Sequence, residues 1–337
     1  MLLTVVLLGA CAVPTSSSAP TLTSRAVATP QRLSELTEAA EAWHLLSSYG
    51  DQAWPGWGAA RIPLLIRAGE FDLLVGHPSP PQEFGLLPEA AVADQPVYRY
   101  AGHLIPVPAA TAWEVGGIWS VAVPTRAEFQ QAIDAQLGAG VVQLDTANYI
   151  RAIVHEAFHA YALTAIHGDV PNFGADVDEG KMIQRLAALP DLDEQHAAEG
   201  QALVKALQAS DRWEVRAAAA EFLKLRQTRR AGQDKEIAAY EQSVEWLEGL
   251  ARYADIALMQ LSAQVGEAPG NPPAGKIWLD FHAALSSPAG SPDGFRRRYY
   301  LLGAAQAFLL DRLMPGWKTR ALNEKLALED LLQEALR

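Results

Sequence analysis

The chain has 337 residues, 50% apolar and 20% charged, with 27 Lys and Arg against 39 Asp and Glu for a formal net charge of −12. That length holds one large domain or two modest ones with a sizeable core, and the acidic balance argues against nucleic acid as the main partner, because phosphate binding relies on clustered Lys and Arg. One cysteine, Cys11, excludes an intramolecular disulfide.

Leu2 to Leu8 form a short apolar run that leads into Leu8-Gly9-Ala10-Cys11 and then Thr15-Ser16-Ser17-Ser18-Ala19-Pro20. The run is too short to span a bilayer, and small residues before a cysteine suit a signal peptidase. This segment resembles a bacterial lipoprotein signal, although no Lys or Arg precedes the run. The resemblance implies export to the cell envelope and acylation of Cys11, which would hold the protein on a membrane surface without a spanning helix. Simple secretion stays open. Residues 12–31, rich in Ser, Thr, Ala and Pro, read as a flexible tether, and residues 32–337 as the folded domain.

Apolar residues Leu33, Leu36, Ala39, Ala40, Trp43 and Leu46 recur at helical spacing and predict a first helix over Arg32 to Tyr49. From Trp54 to Pro124, Pro and Gly separate short apolar runs at Ile62 to Ile66, Phe71 to Val75, Val97 to Tyr100 and Trp113 to Val123, which read as strands. Gly116-Gly117 fits a hairpin turn, because paired glycines accept positive φ. From Arg126 onward the pattern is helical, broken at 138–140, 168–174, Pro190, Gly232 and 266–275. Arg296-Arg297-Arg298 reads as a solvated helix face or helix start. Downstream, Tyr299 to Leu313 predicts a buried helix in which Gly303 permits close packing, with Pro315 as a stop. The expected fold is α+β, a small N-terminal antiparallel sheet (32–125) before a predominantly helical body (126–337) that carries the site.

Within the apolar-periodic segment Tyr149 to Ile166 stands His155-Glu156-Ala157-Phe158-His159, an HExxH pattern. Positions four apart share a helix face, so the two imidazoles can serve one metal with Glu156 beside them. Ile150, Ile153, Val154, Ala157, Phe158 and Tyr161 suit burial on the other face. With 8 His in the chain, chance gives this pattern only about 0.01 times. The bland alternative is a pair of solvent-facing histidines on an amphipathic helix.

A catalytic zinc takes three protein ligands and keeps one position for water. The metzincin spacing fails, since Ala165 occupies the third-histidine position, Ala162 the glycine position, and His167 comes two places late. Glu179 stands twenty residues after His159 and precedes Gly180, a spacing similar to that of thermolysin-like and aminopeptidase-like gluzincins. The third candidate is Glu248, within Trp246-Leu247-Glu248-Gly249-Leu250-Ala251-Arg252-Tyr253. That stretch resembles the W-L-x-E-G-x-A-x-Y ligand helix of gluzincin metallopeptidases, in which the glutamate before the glycine binds zinc. Glu248 is favoured because Glu, Gly, Ala and Tyr match by type and order, whereas only Glu-Gly recurs at Glu179. Eighty-eight residues lie between His159 and Glu248, which implies a helical insertion, and Asp193 to Arg230 suits a hairpin. Glu245, one turn before Glu248, reads either as a carboxylate orienting a ligating histidine or as an exposed partner of an arginine such as Arg252. Tyr161, Tyr253, Tyr299 and Tyr300 are candidate donors to a tetrahedral intermediate, against a plainer role in packing.

The resemblance implies zinc-dependent peptide-bond hydrolysis, with Zn2+ on His155, His159 and Glu248 and the bound water activated by Glu156. Peptide or protein is the expected substrate. A hydrolase acting on a cell-wall or other non-protein substrate would keep the same residues, while a non-catalytic surface lipoprotein on such a scaffold would have no need of Glu156.

Overall fold

The structure, a computed structural model, describes residues 36–106, 108–175, 178–270, 272–288 and 292–337. The expected signal segment, Cys11 and the tether to residue 31 lie outside these residues. The chain divides into two units: the first takes its described residues from 1–164 and 267–271, the second from 165–266 and 272–337.

In the first unit, helix α1 (Thr37–Ala53) buries Ala39, Trp43 and Leu46 of the predicted stripe, and Ala42 and Leu45 beside them. Six strands follow, β1 (Leu64–Ala68), β2 (Phe71–Val75), β3 (Gly85–Val92), β4 (Gln95–Ala101), β5 (Thr111–Val115) and β6 (Ile118–Pro124), in the sheet order β3-β4-β2-β1-β6-β5. Gly116 and Gly117 both take positive φ, 54° and 83°, at the β5–β6 turn, the backbone a two-residue hairpin needs. Four of the five pairings are antiparallel, but β1 runs parallel to β6, with Leu64 opposite Val121. The sheet is therefore mixed. Local patterns specify hairpins, whereas the side on which one hairpin docks against another is a non-local choice. Leu65, Leu74, Phe84, Ile105, Val115 and Ala122 form a core cluster, with Tyr98, Tyr100, Leu104 and Trp113 packed against it. Strand β3, unmarked in the sequence, is mostly exposed and carries Pro88 where its register against β4 shifts between Leu87 and Ala91. Proline is tolerated at such an edge because no ladder hydrogen bond is lost there.

Two helices complete this unit. Thr125 caps α2 (Arg126–Leu137) by accepting from the Glu128 backbone N–H. Helix α3 (Thr146–Ala165) carries the HExxH residues.

The second unit is helical: α4 (Glu179–Ala187), α5 (Leu192–Gln208), α6 (Arg212–Arg230), α7 (Lys235–Val244), α8 (Leu250–Gln264), α9 (Ala274–Ser286), α10 (Pro292–Leu313), α11 (Trp317–Asn323) and α12 (Leu328–Ala335). Helices α5 and α6 pack together as the hairpin expected between the ligand segments. Helix α10 is the central element and packs against α4, α5, α8 and α12. Tyr299, Leu302, Ala304, Ala305, Leu309 and Leu310 are buried on it. Arg296-Arg297-Arg298 departs from the solvated face expected of it: only Arg297 is exposed, and Arg298 is buried with its guanidinium donating to the carbonyls of Ala284 and Leu285. Among the described residues no helix is long and apolar enough to cross a membrane.

Candidate metal centre

Helix α3 starts where the Asp145 carboxylate accepts the Asn148 N–H at 2.7 Å, satisfying one of the backbone donors that a helix start leaves open. The Tyr149 hydroxyl donates to the Pro124 carbonyl at 2.8 Å and ties the helix to the end of β6. Phe158 lies edge-on to Trp54 and Trp57, with ring centroids 4.9 and 5.3 Å away. Ile150, Ile153, Val154 and Ala157 are buried as well. This packing fixes the rotation of the helix and so the direction of the histidines. His155, Glu156 and His159 are only 2%, 7% and 7% exposed, which overturns the reading of two solvent-facing histidines. Their Nε2 atoms stand 3.2 Å apart, close to the roughly 3.3 Å between two ligands held at 2.0–2.1 Å on one tetrahedral metal. A hydrogen bond between two imidazoles has a similar length.

Glu248 sits in a π-helical turn, Glu245–Gly249, between α7 and α8. Such a turn inserts a residue into the helix and re-aims the side chains around it. Two glycines make the position possible. A Cβ on Gly249 would come within 2.6 Å of the Gly303 Cα, and one on Gly303 within 2.5 Å of the Glu245 carbonyl oxygen. The crossing of the turn with α10 thus requires both glycines, as expected of Gly303. Trp246, fully buried, donates its indole N–H to the Ala321 carbonyl at 2.9 Å and pins the other side of the turn. Glu248 itself is 6% exposed, and its Oε1 accepts from Arg296 Nη2 at 2.9 Å.

One ligand atom from each of His155, His159 and Glu248 lies within 4.8 Å of the other two, and all three residues are buried. Two imidazoles and a carboxylate form a mixed nitrogen and oxygen donor set of the kind divalent zinc accepts, and other divalent ions use it too. No protein-family model, curated protein or solved structure matches the chain. The chemistry of the site therefore rests on its own residues.

The other candidates separate from this group. Glu179, the first residue of α4, accepts from the Tyr240 hydroxyl at 3.3 Å and pairs with Arg296. Glu245 orients no histidine and does not pair with Arg252. It is fully buried and receives both Nη groups of Arg226 at 2.8 and 2.5 Å, with Gln306 donating at 2.8 Å. Arg252 pairs with Asp255 at 3.2 Å. The Tyr161 hydroxyl donates to the Pro55 carbonyl, Tyr253 to Asp311 and Tyr299 to Glu241, so these three have structural partners. Tyr300 lies under the Arg296 guanidinium, 5.2 Å from carbon to ring centroid.

The sequence reading missed the buried ionic network to which Glu245 belongs. Arg226 also donates to Glu199 at 3.1 Å, Arg229 joins Glu199 to Glu241 at 2.6 Å each, and Arg230 joins Glu241 to Glu329 at 2.8 and 2.6 Å. Burial alone would push the carboxyls of Glu241 and Glu199 up, but the flanking arginines hold Glu241 well below the usual range and Glu199 below it. Burial also lowers the pKa of His196, whose Nε2 stands 3.8 Å from Glu241. All three groups bind protons more readily unfolded than folded, so each favours the unfolded chain as pH falls. Glu245 of the same network works the other way, because burial pushes its carboxyl up. The midpoint of thermal unfolding is therefore expected to fall steeply only below about pH 4.5, where unfolded glutamates take up protons that folded Glu241 and Glu199 do not. A midpoint that holds or rises from about pH 4.5 to about pH 3.5 would contradict this assignment.

Proposed function

We propose that the protein is a zinc-dependent peptidase in which His155, His159 and Glu248 hold the metal and Glu156 is the general base. The observation that carries the reading is the grouping of three buried donor atoms, two of them from an HExxH helix. A bound metal of this kind polarises the scissile carbonyl and makes a water molecule easier to deprotonate. Glu156 takes the proton from the attacking water and delivers it to the leaving amine. Packing of Phe158 against Trp54 and Trp57 keeps the helix from rotating and so holds base and ligands in fixed relation.

Peptide or protein is the substrate class under this reading. Under this reading the lipoprotein-like segment would carry the enzyme to the bacterial cell envelope, where acylation of Cys11 would make a membrane surface its second partner. The test is cleavage of unfolded protein substrates by the full chain, with Glu156 in place and with glutamine substituted for it. Substrate loss that depends on Glu156 supports the reading, and cleavage by both proteins alike rejects it.

A further inference from the structure

Arg296 reaches Glu248, and its guanidinium is used in three directions. Nη2 donates to Glu248 Oε1 at 2.9 Å, Nε pairs with Glu179, and Nη1 meets the Tyr300 hydroxyl while the plane lies over the Tyr300 ring. Glu179 is itself held by the Tyr240 hydroxyl at 3.3 Å. The chain of contacts therefore runs from α7 and α4 through α10 to the π turn, all within the second unit. The arginine side chain is 20% exposed and Glu248 only 7%, so the pair is better shielded from water than an ordinary surface ion pair, which contributes little.

We infer that Arg296 is a positioning residue for the metal, fixing the Glu248 carboxylate in its ligating orientation, and that Glu179 acts one step further back by anchoring the arginine. The inference rests on the proposed metal centre. It gives the two glutamates that compete in the sequence distinct roles, one as ligand and the other as the brace of the ligand's partner. A glutamate side chain has three rotatable bonds, and a ligand that must be ordered at the moment of binding costs affinity that a pre-oriented one does not. Partners that orient a ligating carboxylate change metal affinity by about tenfold to a hundredfold when removed. Simple electrostatics predicts the opposite sign, because a cation beside a metal site repels the metal. Charge-conserving Arg296→Lys separates the two effects. Lysine keeps the charge but, as a single point donor, loses the planar fork that meets Glu248 and Glu179 together.

The experiment measures zinc affinity of the full chain by competition with a chromophoric chelator, for wild type, Arg296→Lys, Glu248→Ala and the double variant. Arg296→Lys is expected to bind zinc about tenfold to a hundredfold more weakly, and to cause no further loss when Glu248 is already alanine. Unchanged affinity in Arg296→Lys overturns the inference. So does an equal loss on the Glu248→Ala background, since the arginine would then not act through that carboxylate. Should Arg296→Lys fail to fold, Glu179→Gln keeps the arginine and removes its anchor; a severalfold loss is expected, and wild-type affinity overturns the inference. Absence of zinc binding in wild type is a different result, which removes the metal centre itself and this inference with it.

Discussion

Glu156→Gln is expected to lower the rate of peptide hydrolysis by about 10²–10⁴-fold, the usual contribution of a positioned general base, while zinc content and the unfolding midpoint stay at wild-type values. Glutamine has nearly the same shape and fits the same buried position, but its amide cannot take a proton from water. In the proposed centre the metal is held by His155, His159 and Glu248 and not by this side chain, which is why the substitution separates chemistry from assembly. Retention of the wild-type rate would remove Glu156 from the mechanism. Loss of zinc together with activity would mean that Glu156 supports the site rather than the proton transfer.

Arg226→Ala is expected to destabilise the helical unit by about 3–5 kcal/mol, read as a lower urea midpoint, because it leaves buried carboxylates without their countercharge. Arg226 is fully buried and bridges Glu199 on α5 to Glu245 in the π turn. Burial pushes its pKa down and Glu245 and Glu199 push it well above the ordinary value, so it stays charged. Glu199 retains Arg229 in the variant, whereas Glu245 keeps only the Gln306 amide among the contacts described. The double variant Arg226→Met with Glu245→Gln is therefore expected to cost less than the sum of its two single changes, since a matched loss of opposite charges avoids an unpaired buried ion. A near wild-type midpoint for Arg226→Ala would show that the network adds nothing to stability.

The network escaped the sequence reading for a physical reason. Glu241 and Glu245 are four apart, as are Arg226 and Arg230, and charges at that spacing ordinarily lie on a solvated helix face. Their burial arises only when α5, α6, α7 and α10 assemble, which no local pattern records. Arg298 was misjudged in the same way, its charge being satisfied by carbonyls at the end of α9. Strand β3 went unseen because its residues face solvent and include a proline. The legible features were those with a short period. HExxH declares itself because four residues make one helical turn, and Gly116-Gly117 because only a tight turn needs two positive φ angles. Glu248, which the structure groups with the two histidines, was singled out by its resemblance to a ligand-helix motif. Distance along the chain, with 88 residues between His159 and Glu248, carried no such information.

The most direct test of the central claim is the zinc content of the purified full chain after dialysis, by elemental analysis, for wild type, His159→Ala, Glu248→Ala and Glu179→Ala. The account predicts about one zinc per chain in wild type, lost in the His159 and Glu248 variants and retained, with weakened affinity, in the Glu179 variant. Wild type without zinc even after reconstitution, or zinc that survives Glu248→Ala and disappears in Glu179→Ala, would contradict it.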